Sequence, residues 1–182
     1  TDNDILDFSQ KIYDDFPNFS EAKIPSVIRR IIFKPENNPK DPFYNSKGEE
    51  GARAWDFTRG ASWLLAQDIR SFKIDAFSDI EDASTEQIKN KNYRVVTNST
   101  RFPPLISYMN FLGFLSPGFS KENKYLIDPT NAIKEELDNI FVKEELPIED
   151  FILNVGTILP ILDSGDYRLY VEQNLDSQYW NN

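Results

Sequence analysis

From Asp4 to Phe16, apolar residues fall at Ile5, Phe8, Ile12 and Phe16 with polar residues between them; this is the spacing of one helical face, and Pro17 closes it. Ser20 and Pro25 offer two starts for a second helix, whose Val27, Ile28, Ile31 and Ile32 form one apolar face. A start near Pro25 is favoured, because proline suits the first helical position. Lys34 to Glu50 holds Pro35, Pro39, Pro42 and Gly48 among Asn, Lys and Glu and reads as a long exposed loop, with Phe43 and Tyr44 as the residues able to tuck back onto the body. Gly51–Asp68 predicts a helix through Trp55, Thr58, Ala61, Ser62 and Leu65, widened by Trp63 and Leu64. After a short connection at Phe72–Phe77, Ser78 or Asp79 caps a helix running to about Lys91 with Ile80, Ala83 and Ile88 as its thin apolar set.

Thr100 reads as the N-cap of a strongly apolar helix carrying Phe102, Leu105, Ile106, Met109, Phe111 and Leu112. Pro103 and Pro104 fall in its first turn, where missing N–H groups cost little. Gly113, Ser116-Pro117-Gly118 and Lys121–Lys124 are turn-rich and lead into a short strand-like Tyr125-Leu126-Ile127. Asp128 then caps a helix with Pro129 in its first turn and Ile133, Leu137, Ile140 and Phe141 at helical steps. Pro147 opens another, with Glu149 and Asp150 at its positive end and an expected buried face of Ile148, Phe151, Ile152, Val155 and Leu159. Pro160 stops it, and Asp163-Ser164-Gly165-Asp166 turns into a last helix or strand with Tyr167, Tyr170 and Val171. Three helices followed by a hairpin with a basic tip is the order of a winged helix-turn-helix. The expected fold is mainly α: a winged helix-turn-helix-like core with flanking helices and a short β-hairpin. It divides into a helical pair and exposed loop (1–50), a winged-helix-like domain (51–128) and an acidic helical extension (129–182).

Composition narrows the chemistry. The chain has no cysteine and no histidine, which removes thiol nucleophiles, imidazole bases and cysteine–histidine zinc sites together. Its 40% hydrophobic and 14% aromatic residues suffice for a real core, and no apolar run is long enough to span a membrane. A cytoplasmic, non-enzymatic chain with no cofactor, no metal and no membrane contact is expected. The start at Thr1 and the single Met109 give it the look of a piece of a longer protein.

The net charge of −10 opposes indiscriminate polyanion binding, but it is unevenly spread. From Glu135 onward, 11 acids face only Lys143 and Arg168, a net of −9. Between Ser84 and Lys124 the balance is +4, from Lys89, Lys91, Arg94, Arg101, Lys121 and Lys124 against Glu86 and Glu122. On a winged helix, Arg94, Arg101, Lys121 and Lys124 fall at the start of the recognition helix and on the wing, with Asn98, Ser99 and Asn123 as neutral donors. These seven are the candidate DNA-binding residues. An ordinary solvated surface with a small positive excess accounts for the same residues. The apolar 100–112 helix also lacks the polar face a groove reader needs, which favours a protein-binding winged helix.

Other constellations have plain readings. Asp163, Asp166 and Glu172 resemble a carboxylate cluster, yet turn and capping chemistry explains them. Lys143–Asp150 reads as a solvated helix start. Thr58 and Ser62 lie on an apolar face with no base available, Trp55 and Trp63 belong to the core before they belong to a stacking platform, and no glycine-rich phosphate loop occurs.

Four stretches together resemble a known family: Asp56-Phe-Thr-Arg-Gly-Ala-Ser-Trp-Leu-Leu-Ala-Gln-Asp68, Phe102 through Leu112-Gly113-Phe114, Leu126-Ile-Asp-Pro-Thr-Asn-Ala-Ile133, and Leu159-Pro-Ile-Leu-Asp-Ser-Gly-Asp-Tyr-Arg168. The likeness is to the DpdG proteins of bacterial islands that insert 7-deazaguanine bases into DNA and restrict DNA lacking them. It spans about residues 51–175 and rests on capping and core residues. It implies an accessory part of a DNA modification, restriction and phage-defence system, acting beside separate enzymes, and carries over no catalytic residue. The expected partners are double-stranded DNA or other protein subunits of the same system, and a protein scaffold without DNA contact is the alternative.

Overall fold

The computed structural model describes residues 14, 16, 20–38, 54–69, 72–118 and 124–176. The helix expected over Asp4–Phe16 lies outside them but for its end, as do Phe43 and Tyr44. The described residues form eight helices and one two-stranded hairpin, so the chain is mainly α. In order these are α1 (Ile24–Ile32), α2 (Trp55–Leu65), α3 (Phe77–Gln87), α4 (Phe102–Phe111), β1 (Leu115–Pro117), β2 (Tyr125–Ile127), α5 (Thr130–Glu135), α6 (Leu137–Ile140), α7 (Ile148–Ile158) and α8 (Asp166–Gln173).

α1 starts as expected with Pro25 in its first turn, after a single 3-10 turn at Glu21–Lys23. α2 is the central helix: Thr58, Ala61, Ser62, Trp63 and Leu64 are all fully buried. The Ser62 hydroxyl meets its own hydrogen-bond requirement by donating to the Thr58 carbonyl at 2.7 Å. α4 crosses α2 at Gly60, where an added Cβ would lie 3.0 Å from Leu105. α8 lies along α2 and seals it with Tyr167 and Val171. Past α8 the chain pairs with the end of α3. Ile88 bridges Leu175, the Lys89 N–H donates to the Asn174 carbonyl at 3.0 Å, and the Asp176 N–H to the Gln87 carbonyl at 2.6 Å. One core thus runs from Phe33 to Leu175.

Several boundaries differ from the sequence expectation for local reasons. α3 starts one residue before Ser78, because the Asp79 carboxylate accepts the Ala76 N–H at 3.1 Å. It stops at Gln87, four residues short of Lys91, where the chain turns into the bridge with Leu175. The N-cap of α4 is Arg101 rather than Thr100, and Asn98 shapes the turn before it: its Oδ1 accepts the N–H groups of Thr100 and Arg101 and the Thr100 hydroxyl. The hairpin pairs Leu115 with Ile127, Ser116 with Leu126 and Pro117 with Tyr125, antiparallel. Gly113 (φ +81°) supplies the left-handed turn between α4 and β1, and a Cβ there would sit 2.9 Å from the Ala132 nitrogen.

The N-cap of the next helix is Pro129, and Asp128 just before it accepts the Thr130 N–H at 3.0 Å; its hydrogen bonding to Thr130 is the main reason its carboxyl titrates below the usual aspartate range. The single helix expected over 129–141 is instead two, α5 and α6, separated at Glu136, whose side chain is drawn inward. Ile140 is buried, whereas Leu137 and Phe141 are 37% and 42% exposed. On α7, Val155 and the following Leu159 are buried as expected, but Ile148 and Ile152 face solvent.

Candidate contact surface around the fourth helix

The segment leading into α4 places one of the expected basic residues, Arg101, beside two residues of α2 outside the expected cluster, Asp56 and Arg59. Arg101, at the helix start, is 63% exposed and places Nη1 3.4 Å from Asp56 Oδ2. The other oxygen of Asp56 takes Arg59 Nη2 at 2.6 Å. Arg59 is almost wholly buried, donates Nε–H to the Val95 carbonyl at 3.1 Å, and lies 4.2 Å over the Trp55 ring. Burial lowers its pKa, and the charge and hydrogen bond of Asp56 oppose that. One carboxylate is therefore shared by two arginines, one buried and one at the surface. Beside them is a concavity of about 200 Å³ walled by Phe57, Val96, Pro104, Leu105 and Tyr108.

The remaining candidates are dispersed. Arg94 curls onto its own loop, donating to the carbonyls of Lys91 at 2.6 Å and Tyr93 at 2.9 Å. Asn98 is spent on the turn before α4, and Ser99 is exposed beside it. The Lys124 N–H donates to Asp75 Oδ1 at 3.1 Å, which ties the hairpin to the connection before α3. Lys121 and Asn123 lie outside the described residues. The outward face of α4 carries Pro103, Pro104, Ser107, Tyr108, Asn110 and Phe111, none of them charged. Tyr108 and Phe111 are 58% and 49% exposed.

A second polar centre has no signal in the sequence pattern. Glu136 is fully buried, and its carboxylate accepts Ser26 Oγ at 2.5 Å, Arg30 Nη2 at 2.9 Å, Asn139 Nδ2 at 2.9 Å and Arg29 Nη2 at 3.3 Å. Burial pushes its pKa up, but the bonds from Ser26 and Arg30 and the charges of Arg30 and Arg29 outweigh that and hold it below the usual range. Arg29, 1% exposed, also reaches Glu135 at 2.7 Å and the Leu112 carbonyl at 2.8 Å, so α1 is clamped to α5 and to the end of α4. Two of the eleven tail acids are thus internal partners of α1. The nine others against Lys143 and Arg168 leave a net of −7. In sequence, Glu135 and Glu136 look like two more solvated tail charges, and only the packing distinguishes them.

A family model described as DpdG-like matches residues 2–182. The chain belongs to the DpdG-like family. The match takes in the first 50 residues, which the four stretches of resemblance leave uncovered. Membership associates this DpdG-like chain with the Dpd system of 7-deazaguanine DNA modification. No curated protein and no solved structure is found to match it. Among the described residues no helix is long and apolar enough to cross a membrane, and no group of three or more acidic side chains is placed to hold a metal ion.

Proposed function

We propose that this DpdG-like chain is a non-catalytic accessory component of a bacterial 7-deazaguanine modification and restriction system, serving phage defence by holding protein subunits of that system. The observation that carries this reading is the uncharged outward face of α4, with Tyr108 and Phe111 open to solvent where a groove reader would carry polar and basic side chains. The helix–helix–helix–hairpin order of α2, α3, α4 and β1–β2 supports a winged-helix-like setting for that face. The absence of cysteine and histidine supports a non-catalytic role for this chain.

A second reading, direct contact with duplex DNA through Arg94, Asn98, Ser99, Arg101, Lys121, Asn123 and Lys124, is favoured by the exposed Arg101 side chain at the start of α4. Fluorescence anisotropy of a labelled duplex at low and moderate salt separates the two. The protein reading expects little binding at low salt and no change in an Arg101→Glu, Lys124→Glu double variant. Binding that falls steeply with salt and is lost in that variant would transfer the function to DNA contact.

A further inference from the structure

α7 reads Ile-Glu-Asp-Phe-Ile-Leu-Asn-Val-Gly-Thr-Ile, with apolar side chains on more than one side. Val155 faces the core and Phe151 packs against it, yet Ile148, Ile152 and Leu153 are 63%, 40% and 55% exposed. Ile148, Ile152 and Val155 fall at i, i+4 and i+7 on one face, so that face runs past the core and its exposed end is a surface suited to another chain. That side opens on a groove of about 350 Å³ with Leu65, Ile127, Ile133 and Val155 in its walls and Ile69 and Ile152 exposed at its edge. The groove shares no residue with the concavity beside α4.

Charge selects the occupant. Among the described residues no lysine or arginine lines the groove, and Asp163, 78% exposed, is the one charged residue in its lining. Arg168 serves both Asp163 at 3.3 Å and Glu172 at 2.5 Å, one guanidinium for two carboxylates. Glu149 and Asp150, both exposed, flank the row formed by Ile148 and Ile152. A second copy of the chain would bring two such acidic segments together, each with a net of −7 from residue 135 on once Glu135 and Glu136 are spent on α1. The chain's own opening stretch has the same sign, with Asp2, Asp4, Asp7, Asp14 and Asp15 against Lys11. Anionic lipid is repelled likewise. We infer that the groove takes an amphipathic helix of a partner protein, apolar at i, i+4 and i+7 and flanked by lysine and arginine. The inference stands apart from whether α4 meets protein or DNA.

The test is selection of a displayed library of helical peptides, fixed as apolar at i, i+4 and i+7 and randomised at flanking positions, on the full chain. Selected peptides are expected to be enriched in Lys and Arg. They should lose about tenfold or more in affinity on Ile69→Glu and Ile152→Glu variants with native circular dichroism and melting temperature. Acidic or neutral flanks among the selected peptides, affinity unchanged in both variants, or no enrichment at all would overturn the proposal. A dimer in sedimentation velocity that Ile152→Glu dissolves would overturn it too, by giving the groove to a second copy. None of these outcomes bears on the DNA anisotropy result.

Discussion

Glu136 is a carboxylate that the fold must keep ionised: fully buried, it is held by Ser26, Arg29, Arg30 and Asn139. Removing one partner of a buried pair leaves the other charge uncompensated, at a cost of about 3–5 kcal/mol. Because Arg29 keeps Glu135 at 2.7 Å, Glu136→Gln is expected near the lower end, about 3 kcal/mol, read from urea unfolding at pH 7. The sign with pH comes from the depressed folded pKa. The contribution is present above the ordinary value of 4.5 and is lost as pH falls through the folded value. The unfolding midpoint of the native chain should therefore drop below about pH 4.5, and the Gln variant should lose that part of the drop. Gly113 makes a second residue-scale case. With φ at +81° and a Cβ placed 2.9 Å from the Ala132 backbone nitrogen, Gly113→Ala is strained twice over. A loss of about 1–3 kcal/mol in the same assay is expected, and no loss would show that the α4–β1 turn yields freely.

Which elements could be read from sequence depends on how local their determinants are. Asp128 before Thr130, Pro25 in α1 and Pro147 before α7 act within a few residues, and each helix starts where its cap or proline places it. The single helix expected over 129–141 failed because Glu136 answers to Arg29 and Arg30 on α1, over a hundred residues away, rather than to the local period. Of the candidate surface, the turn at Asn98 and the exposure of Arg101 reflect local chemistry. The sharing of Asp56 between Arg59 and Arg101 does not, since α2 and the start of α4 meet only in the folded chain. α7 misled for a different reason. Its one apolar face is longer than the core it meets: Ile148 and Ile152 share the side of Val155 but stand beyond the core, and periodicity cannot say where along a face burial stops. The structure chooses Val155 and Leu159, so Leu159→Ala, at 1% exposure, should cost about 2–5 kcal/mol. Ile148→Lys, at 63% exposure, should stay within about 0.5 kcal/mol by thermal denaturation. Equal costs at the two positions would mean that the outer side of α7 is covered within the chain itself.

At the scale of the molecule, the question is whether 51–128 can stand without residues 129–182. The charge pattern invites a cut there, since acidity concentrates after Glu135. Packing opposes the cut. Tyr167, Val171 and Leu175 are buried in the same core as Trp63, Ile80 and Ile88. The bridge from Ile88 to Leu175 and the bonds at Lys89 and Asp176 join the end of α3 to the end of α8. Ala132, fully buried, closes over Gly113, and Arg29 loses both carboxylates if α5 is absent. Each of these large apolar side chains contributes about 1.5–3 kcal/mol by its burial, and a domain of this size has only about 5–15 kcal/mol in all. A chain ending at Asp128 is therefore expected not to fold, and one ending at Ser164 to lose most of its stability despite keeping α1 to α7. Amide hydrogen exchange on the full chain offers a check without truncation. Protected amides in α2, α3 and α8 should open together with a common free energy, as parts of one cooperative unit. If α8 exchanges through a separate, cheaper opening while α2 and α3 stay closed, then the acidic region is an appended layer, and 51–128 is a domain in its own right.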